Sequence, residues 1–203
     1  MRTAAILLAL VGLFGATASA DVVNGGFETG DFTGWTTFGD LSFTGVSGLQ
    51  CPNGASAAMT ACTPYDGSYS AFFGQTGATG GISQAITTVA GASYTVSYWF
   101  EVDPANSGTS PANYAFSWNG TNFASATDPD KSGWTKFTFT GLVAGGDSTV
   151  LMFTTYNYPD WFGLDDVTVT EEQSETPEPA SLAVSALGLL LLGAARFRRT
   201  ARG

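Results

Sequence analysis

The sequence predicts an all-β protein, an antiparallel β-sandwich, on three observations. Between the two ends no long stretch keeps an apolar repeat of 3.6 residues, so amphipathic helices are excluded there. Short runs of β-branched and aromatic residues recur instead, punctuated by Gly, Asn, Asp and Pro. The clearest run sets Tyr94, Val96, Tyr98, Phe100 and Val102 against Ser93, Thr95, Ser97, Trp99 and Glu101. That period of two is the pattern of a strand with one buried face.

The elements follow in order. Runs at 35–43, 69–74 and 82–89 predict the strands before 93–102. Asn119-Gly120 stands between 114–118 and 121–124, a two-residue hairpin signal because both positions tolerate positive φ. Phe137 and Phe139 alternate with Lys136, Thr138 and Thr140, and 150–156 and 162–170 supply the last strands. Eight or nine strands separated by frequent turns predict a sandwich with jelly-roll-like wiring.

Both ends read as addresses rather than as fold. Arg2, the apolar run 4–16 and the small residues Ala18-Ser19-Ala20 have the order of a secretory signal peptide, which makes 1–20 removable and Asp21 the mature start. At the other end Pro177-Glu178-Pro179 precedes the apolar run 180–195 and then Arg196, Arg198, Arg199 and Arg202. A short apolar segment closed by arginines stalls in a membrane with its basic end in the cytoplasm. The run is shorter than the ~20 apolar residues of a comfortable span, which argues against a plain uncut anchor. This order closely resembles the PEP-CTERM sorting signal of Gram-negative bacteria that make exopolysaccharide. The resemblance implies recognition by an exosortase-type membrane protease, cleavage near Pro177-Glu178-Pro179, and transfer to the cell surface or the extracellular matrix of a biofilm. The expected organisation is a signal peptide at 1–20, a β-sandwich at 21–173 and a sorting tail at 174–203.

The central domain is long enough to bury a real core. Between 21 and 176 there are sixteen acidic residues against Lys131 and Lys136, a net charge of −14. Nucleic acid is excluded as a partner, because phosphate backbones require clustered Lys and Arg. An acidic surface suits solubility and divalent cations. Cys51 and Cys62 are the only cysteines, and in an exported protein the pair predicts a disulfide, worth at most about 3 kcal/mol by chain entropy. Two thiolates in a chain without histidine do not complete a zinc shell.

Three segments narrow the class. The domain opens with Asn24-Gly25-Gly26-Phe27-Glu28 and closes with Phe162-Gly163-Leu164-Asp165-Asp166-Val167, with Tyr65-Asp66-Gly67-Ser68-Tyr69-Ser70 between them. Together they resemble the jelly-roll carbohydrate-binding-module and galactose-binding-like families. The resemblance implies that the first and last segments meet, bringing Glu28 and Asp165 to one small region. Two carboxylates so placed repel, and neither lysine is near in sequence, so a structural Ca²⁺ is expected. Glu28 and Asp165 are its side-chain candidates, with Gly26, Asp66 and Asp166 as further contributors. The alternative is that these are solvated carboxylates at a turn and a strand end.

Glycan binding requires aromatic platforms and hydrogen-bonding groups on an exposed face. Trp99, on the polar face of its strand, is the first candidate, followed by Trp118, Tyr156 and Trp161, then Tyr114 and Tyr158; Trp35 is expected in the core. The competing reading packs each of these rings inside or under loops. An enzyme is not expected: without histidine the usual Ser and Cys triads cannot be built, and no acidic pair shows the spacing of a glycosidase. The expectation is a non-catalytic surface or matrix protein whose sandwich binds exopolysaccharide or another glycan. The alternatives are a purely structural or adhesive component and a carbohydrate-active hydrolase or lyase.

Overall fold

The computed structural model describes residues 20–48, 63–103, 112–157 and 161–173. The chain divides into two units, Met1–Glu172 and Gln173–Gly203, and every strand lies in the first. The strands are β1 (Thr36–Gly39), β2 (Thr44–Ser47), β3 (Ser70–Phe73), β4 (Gly80–Thr87), β5 (Ser93–Val102), β6 (Ala112–Trp118), β7 (Thr121–Thr127), β8 (Ser132–Val143), β9 (Ser148–Asn157) and β10 (Phe162–Glu171). They form two five-stranded sheets, β1-β4-β9-β6-β7 (sheet A) and β2-β3-β10-β5-β8 (sheet B), with every pairing antiparallel. Among the described residues no helix is long and apolar enough to cross a membrane. The signal peptide, the sorting tail, Cys51 and Cys62, and Tyr158 lie outside the described residues.

The all-β sandwich stands as the sequence predicts, with two changes in the strand list. Only Thr36–Gly39 of the run 35–43 is strand, because Gly39 takes φ 70° and Asp40 then turns the chain, its Oδ1 accepting from the Ser42 N–H at 2.8 Å, and Thr44–Ser47, outside every predicted run, is a further strand. β1 therefore pairs β4 in sheet A, while β2 pairs β3 in sheet B. The Asn119-Gly120 turn has φ values of 51° and 76°, the positive pair that a tight hairpin demands.

The inner faces meet through aromatic rings. Tyr98 sits among Phe116, Phe137, Phe139 and Phe153, with ring centroids 4.9–6.0 Å apart. Removing one such ring costs about 3–5 kcal/mol against a total stability of about 5–15 kcal/mol, so inward rings are committed to the fold.

The register of sheet A lays out its outer face. Tyr156 on β9 stands opposite Asn113 on β6, and Asn113 stands opposite Thr127 on β7. One row along, Gly81, Thr154, Ala115 and Ser125 align in the same way. Side chains of one parity on these strands fill the core, and those of the other parity face outward.

Candidate functional site

The outer face of sheet A carries a cleft of about 400 Å³. Its outward residues are Asn113, Ser125, Thr127, Thr154 and Tyr156, with Thr79 at one end and Ala115 in the floor. No charged residue is among its described lining residues. Its outward side chains and Thr79 offer the Tyr156 ring, four hydroxyls of Ser and Thr, and an amide that both donates and accepts, and Tyr114 adjoins them. Such a surface matches a neutral polyol whose rings have apolar faces and whose rims carry hydroxyls.

A second cluster lies on sheet B, where the N-terminal segment meets β10. The Val167 N–H donates to the Gly25 carbonyl at 3.0 Å. This contact brings Gly26, Glu28, Asp66, Asp165 and Asp166 into one region, as the family resemblance implied. The Glu28 carboxylate accepts from the Ser68 and Tyr69 N–H groups, both at 2.9 Å to Oε1. Asp165 Oδ2 accepts from Tyr65 and Asp66, at 3.0 and 3.3 Å, and its Oδ1 accepts from Asp166 at 2.8 Å. A side chain at Gly26 would begin 3.5 Å from Asp166 Oδ1 and 3.8 Å from Asp165 Oδ1. At Gly67, with φ 65°, a Cβ would collide with the Glu28 carboxylate, so glycine there is required on both counts.

Electrostatics in this cluster are unfavourable to ionisation. Burial pushes Asp165 up to about 7, against the pull of its three backbone hydrogen bonds, and the neighbouring Asp166 charge adds to the rise. Asp166 is raised by burial and by the charges of Asp66 and Glu28, and lowered by Lys136. Lys136 is remote in sequence, but β8 sets it opposite Trp99, so one cation does act here. The donor set is all oxygen, the kind a hard cation such as Ca²⁺ takes. Among the described residues, however, no three of His, Cys, Asp and Glu are gathered closely enough to hold a metal ion as they stand.

The aromatic candidates separate. Tyr156 lines the cleft. Trp118 is 1% exposed, packs on Tyr94 and donates its indole N–H to the Val143 carbonyl at 3.1 Å, so it belongs to the core and offers no face to a ligand. Its parity on β6 is the reason: it points inward with Phe116. Trp99 does lie on the outer face of sheet B, but Tyr65 stacks on it at 3.7 Å. Trp134 meets the same Tyr65 at 6.4 Å and bonds the Thr63 carbonyl, so these rings clamp the 63–69 segment to the sheet. Tyr114 also lines the cleft, although its ring packs on Phe100 at 4.6 Å, and Trp35 is in the core as expected. Trp161 stands half-buried at the opening of β10. Sequence reasoning missed Asn113, Ser125, Thr127 and Thr154; the period-two rule applied to 112–118 and 121–127 was the signal that could have found them.

No protein-family model matches the chain, and no curated protein matches it in sequence. Solved structures do match in shape. TmCBM61, solved in complex with β-1,4-galactotriose, aligns with a TM-score of 0.55 at 18% identity, over 75% of this chain and 99% of that one. The tandem CBM22-1–CBM22-2 domain of Paenibacillus barcinonensis Xyn10C aligns at 0.51 and 20% identity, over 82% of this chain and 50% of that one. The K3 cleaved adhesin domain of Lys-gingipain from Porphyromonas gingivalis W83 aligns at 0.51 and 16% identity, over 75% and 99%. What is shared at these identities is the fold, the β-sandwich of the carbohydrate-binding modules.

The acidic cluster sets the pH dependence of stability. A carboxyl whose folded pKa lies above its unfolded value near 3.9 binds a proton more readily in the native state, so its contribution falls as pH rises between the two values. With Asp165 at about 7, and Asp166 shifted the same way, stability in chelator falls from about pH 4 to pH 7. Asp40, lowered to about 2, acts only below that window. Melting temperatures across pH 4–8 check this; Asp165→Asn flattens the slope, and a wild-type melting temperature that rises over that range contradicts it.

Proposed function

We propose that the protein is an exported, non-catalytic glycan-binding protein whose sheet A cleft takes a neutral polysaccharide. The observation that carries the reading is the cleft itself: the Tyr156 face ringed by hydroxyls and an amide, with no charge among its described lining residues, in a chain whose residues 21–176 carry a net charge of −14. Tyr156 would stack on the apolar face of a pyranose, and Asn113 would hold adjacent ring hydroxyls. A uronate-rich or sulfated chain would meet negative potential without a cation in the cleft to offset it. No carboxylate is among the described lining residues, so the acid pair of a glycosidase has no place there. The β-1,4-galactotriose held by TmCBM61 makes galactan the first polysaccharide to try.

The acidic cluster supports a structural role for Ca²⁺. Glu28, Asp66, Asp165 and Asp166 would hold the ion, which would offset the burial of charge, and the repulsion added to it, that raise Asp165 and Asp166. The Pro-Glu-Pro tail supports exosortase-dependent sorting, with a transient stay in the cytoplasmic membrane before release to the surface or matrix.

Three measurements test these readings. Tyr156→Ala weakens binding to β-1,4-galactan or xylan about tenfold or more in affinity electrophoresis, roughly 1.4 kcal/mol, with an unchanged melting temperature. Failure of the wild type to retain any neutral polysaccharide would leave only a structural or adhesive matrix role. Adding Ca²⁺ to chelated protein at pH 8 raises the melting temperature in wild type and not in Asp165→Asn; identical curves would remove the metal. In the native host, replacing Glu178 and Pro179 by Ala leaves the protein in the cytoplasmic membrane with its tail intact. Normal release of that variant would end the sorting reading.

A further inference from the structure

Phe43 is the residue whose conformation the fold does least to explain. Its φ is 50°, in the left-handed region that a bulky side chain enters at a cost of about 1–3 kcal/mol. Phe27 has a similar φ of 56°, but it is fully buried against Trp35 and Phe32. Phe43 has no such compensation, being 55% exposed. Its turn is nonetheless firmly held. The Thr44 N–H donates to the Leu41 carbonyl at 3.2 Å, and Asp40 Oδ2 accepts from Gly77 and Ala78 at 2.9 and 3.1 Å. The Ser42 hydroxyl takes the Thr76 N–H at 3.3 Å. The backbone holds a strained phenyl ring in water.

The neighbour of that ring is Trp161, perpendicular to it at 6.1 Å. Trp161 lies on Gly74, where a Cβ would come within 2.8 Å of the indole, and against Phe72 at 5.6 Å. Its position is set by glycine below and by its carbonyl, which accepts from the Asp103 N–H at 3.1 Å. Trp35, Trp118 and Trp134 each donate their indole N–H to a backbone carbonyl. Among the described residues nothing accepts from the indole N–H of Trp161. An exposed phenyl face and an indole whose plane stands at right angles to it, its N–H without an acceptor among the described residues, therefore stand together.

We propose that Phe43 and Trp161 form a second glycan-binding corner, independent of the cleft, that takes one neutral pyranose ring. The apolar face of the ring stacks on Phe43, and a ring hydroxyl accepts from the Trp161 N–H. A lipid acyl surface would use the apolar ring but leave the donor unmatched, whereas a pyranose, whose apolar face lies beside its hydroxyls, uses both. Phe72 and Gly74 place the corner on the side of sheet B, whereas the cleft lies on sheet A. One molecule thus holds two polysaccharide segments and cross-links them, gaining avidity on a polymer without any new contact. The inference requires that the protein bind sugar, and it does not require the cleft to be the place.

The test is a titration of ¹⁵N-labelled protein with β-1,4-galactotriose and with xylo- and cello-oligosaccharides. It follows the indole N–H resonances, with Trp161 assigned through Trp161→Phe. The Trp161 resonance moves with at least one of these sugars in wild type and in Tyr156→Ala. Phe43→Gly weakens that response about tenfold or more while its melting temperature stays level or rises, because glycine accepts the left-handed φ without strain. A Trp161 resonance that no sugar moves, or a Phe43→Gly variant that responds like wild type, overturns the proposal. So does a lowered melting temperature in Phe43→Gly, which would make Phe43 a packing residue. If Tyr156→Ala binds as wild type while the Trp161 response persists, the cleft reading falls and the corner stands.

Discussion

The aromatic contact between the two sheets is the constraint on which the rest depends. Tyr98, Phe116, Phe137, Phe139 and Phe153 fill the space between them with rings whose removal the fold cannot absorb. Once those positions are inward, the period of two sends the intervening residues outward, and the chemistry of each outer face follows. On sheet A the outward set around the cleft is Asn113, Ala115, Ser125, Thr127 and Thr154 beside Tyr156. On sheet B the outward set includes Trp99 and Trp134, and these rings are covered by Tyr65 from the 63–69 segment. Whether an aromatic serves the core, a loop or a ligand is thus settled by parity first and by what lies above it second.

The 63–69 segment is tied down by carboxylates as well as rings. Glu28 and Asp165 each bind successive backbone N–H groups of that segment, the anion-to-amide arrangement that normally keeps a carboxylate ionised. Burial wins over those bonds at Asp165, whose pKa rises, and the neighbouring Asp166 charge adds to the effect. The cluster therefore holds more negative charge than its own hydrogen bonds and Lys136 offset. A divalent cation and a proton are two ways to relieve the same excess, which ties the calcium proposal to the pH dependence.

Much of the fold was legible because alternation is a local signal. Residues 93–102 carried it unbroken, and Asn119-Gly120 named its own turn. The end of β1 inside 35–43 was missed because its punctuation is only Gly39-Asp40, and β2 was missed outright because four residues, Thr44–Ser47, carry little pattern and their pairing with β3 is long-range. The acidic cluster was legible through family resemblance rather than through spacing, since Glu28 and Asp165 meet only when the chain ends do. The cleft was mostly illegible. Asn113, Thr127 and Thr154 are ordinary strand residues until the register sets them in a row beside Tyr156, and Trp118, the more conspicuous ring, has the wrong parity.

The central claim is that the uncharged outer face of sheet A is where sugar binds. A crystal structure of the protein grown with β-1,4-galactan or xylan oligosaccharide tests it most directly. Sugar density is expected over Tyr156, with ring hydroxyls within hydrogen-bond distance of Asn113 and of the Thr127 or Thr154 hydroxyl. Sugar bound elsewhere on the molecule, with this face bare, would contradict it.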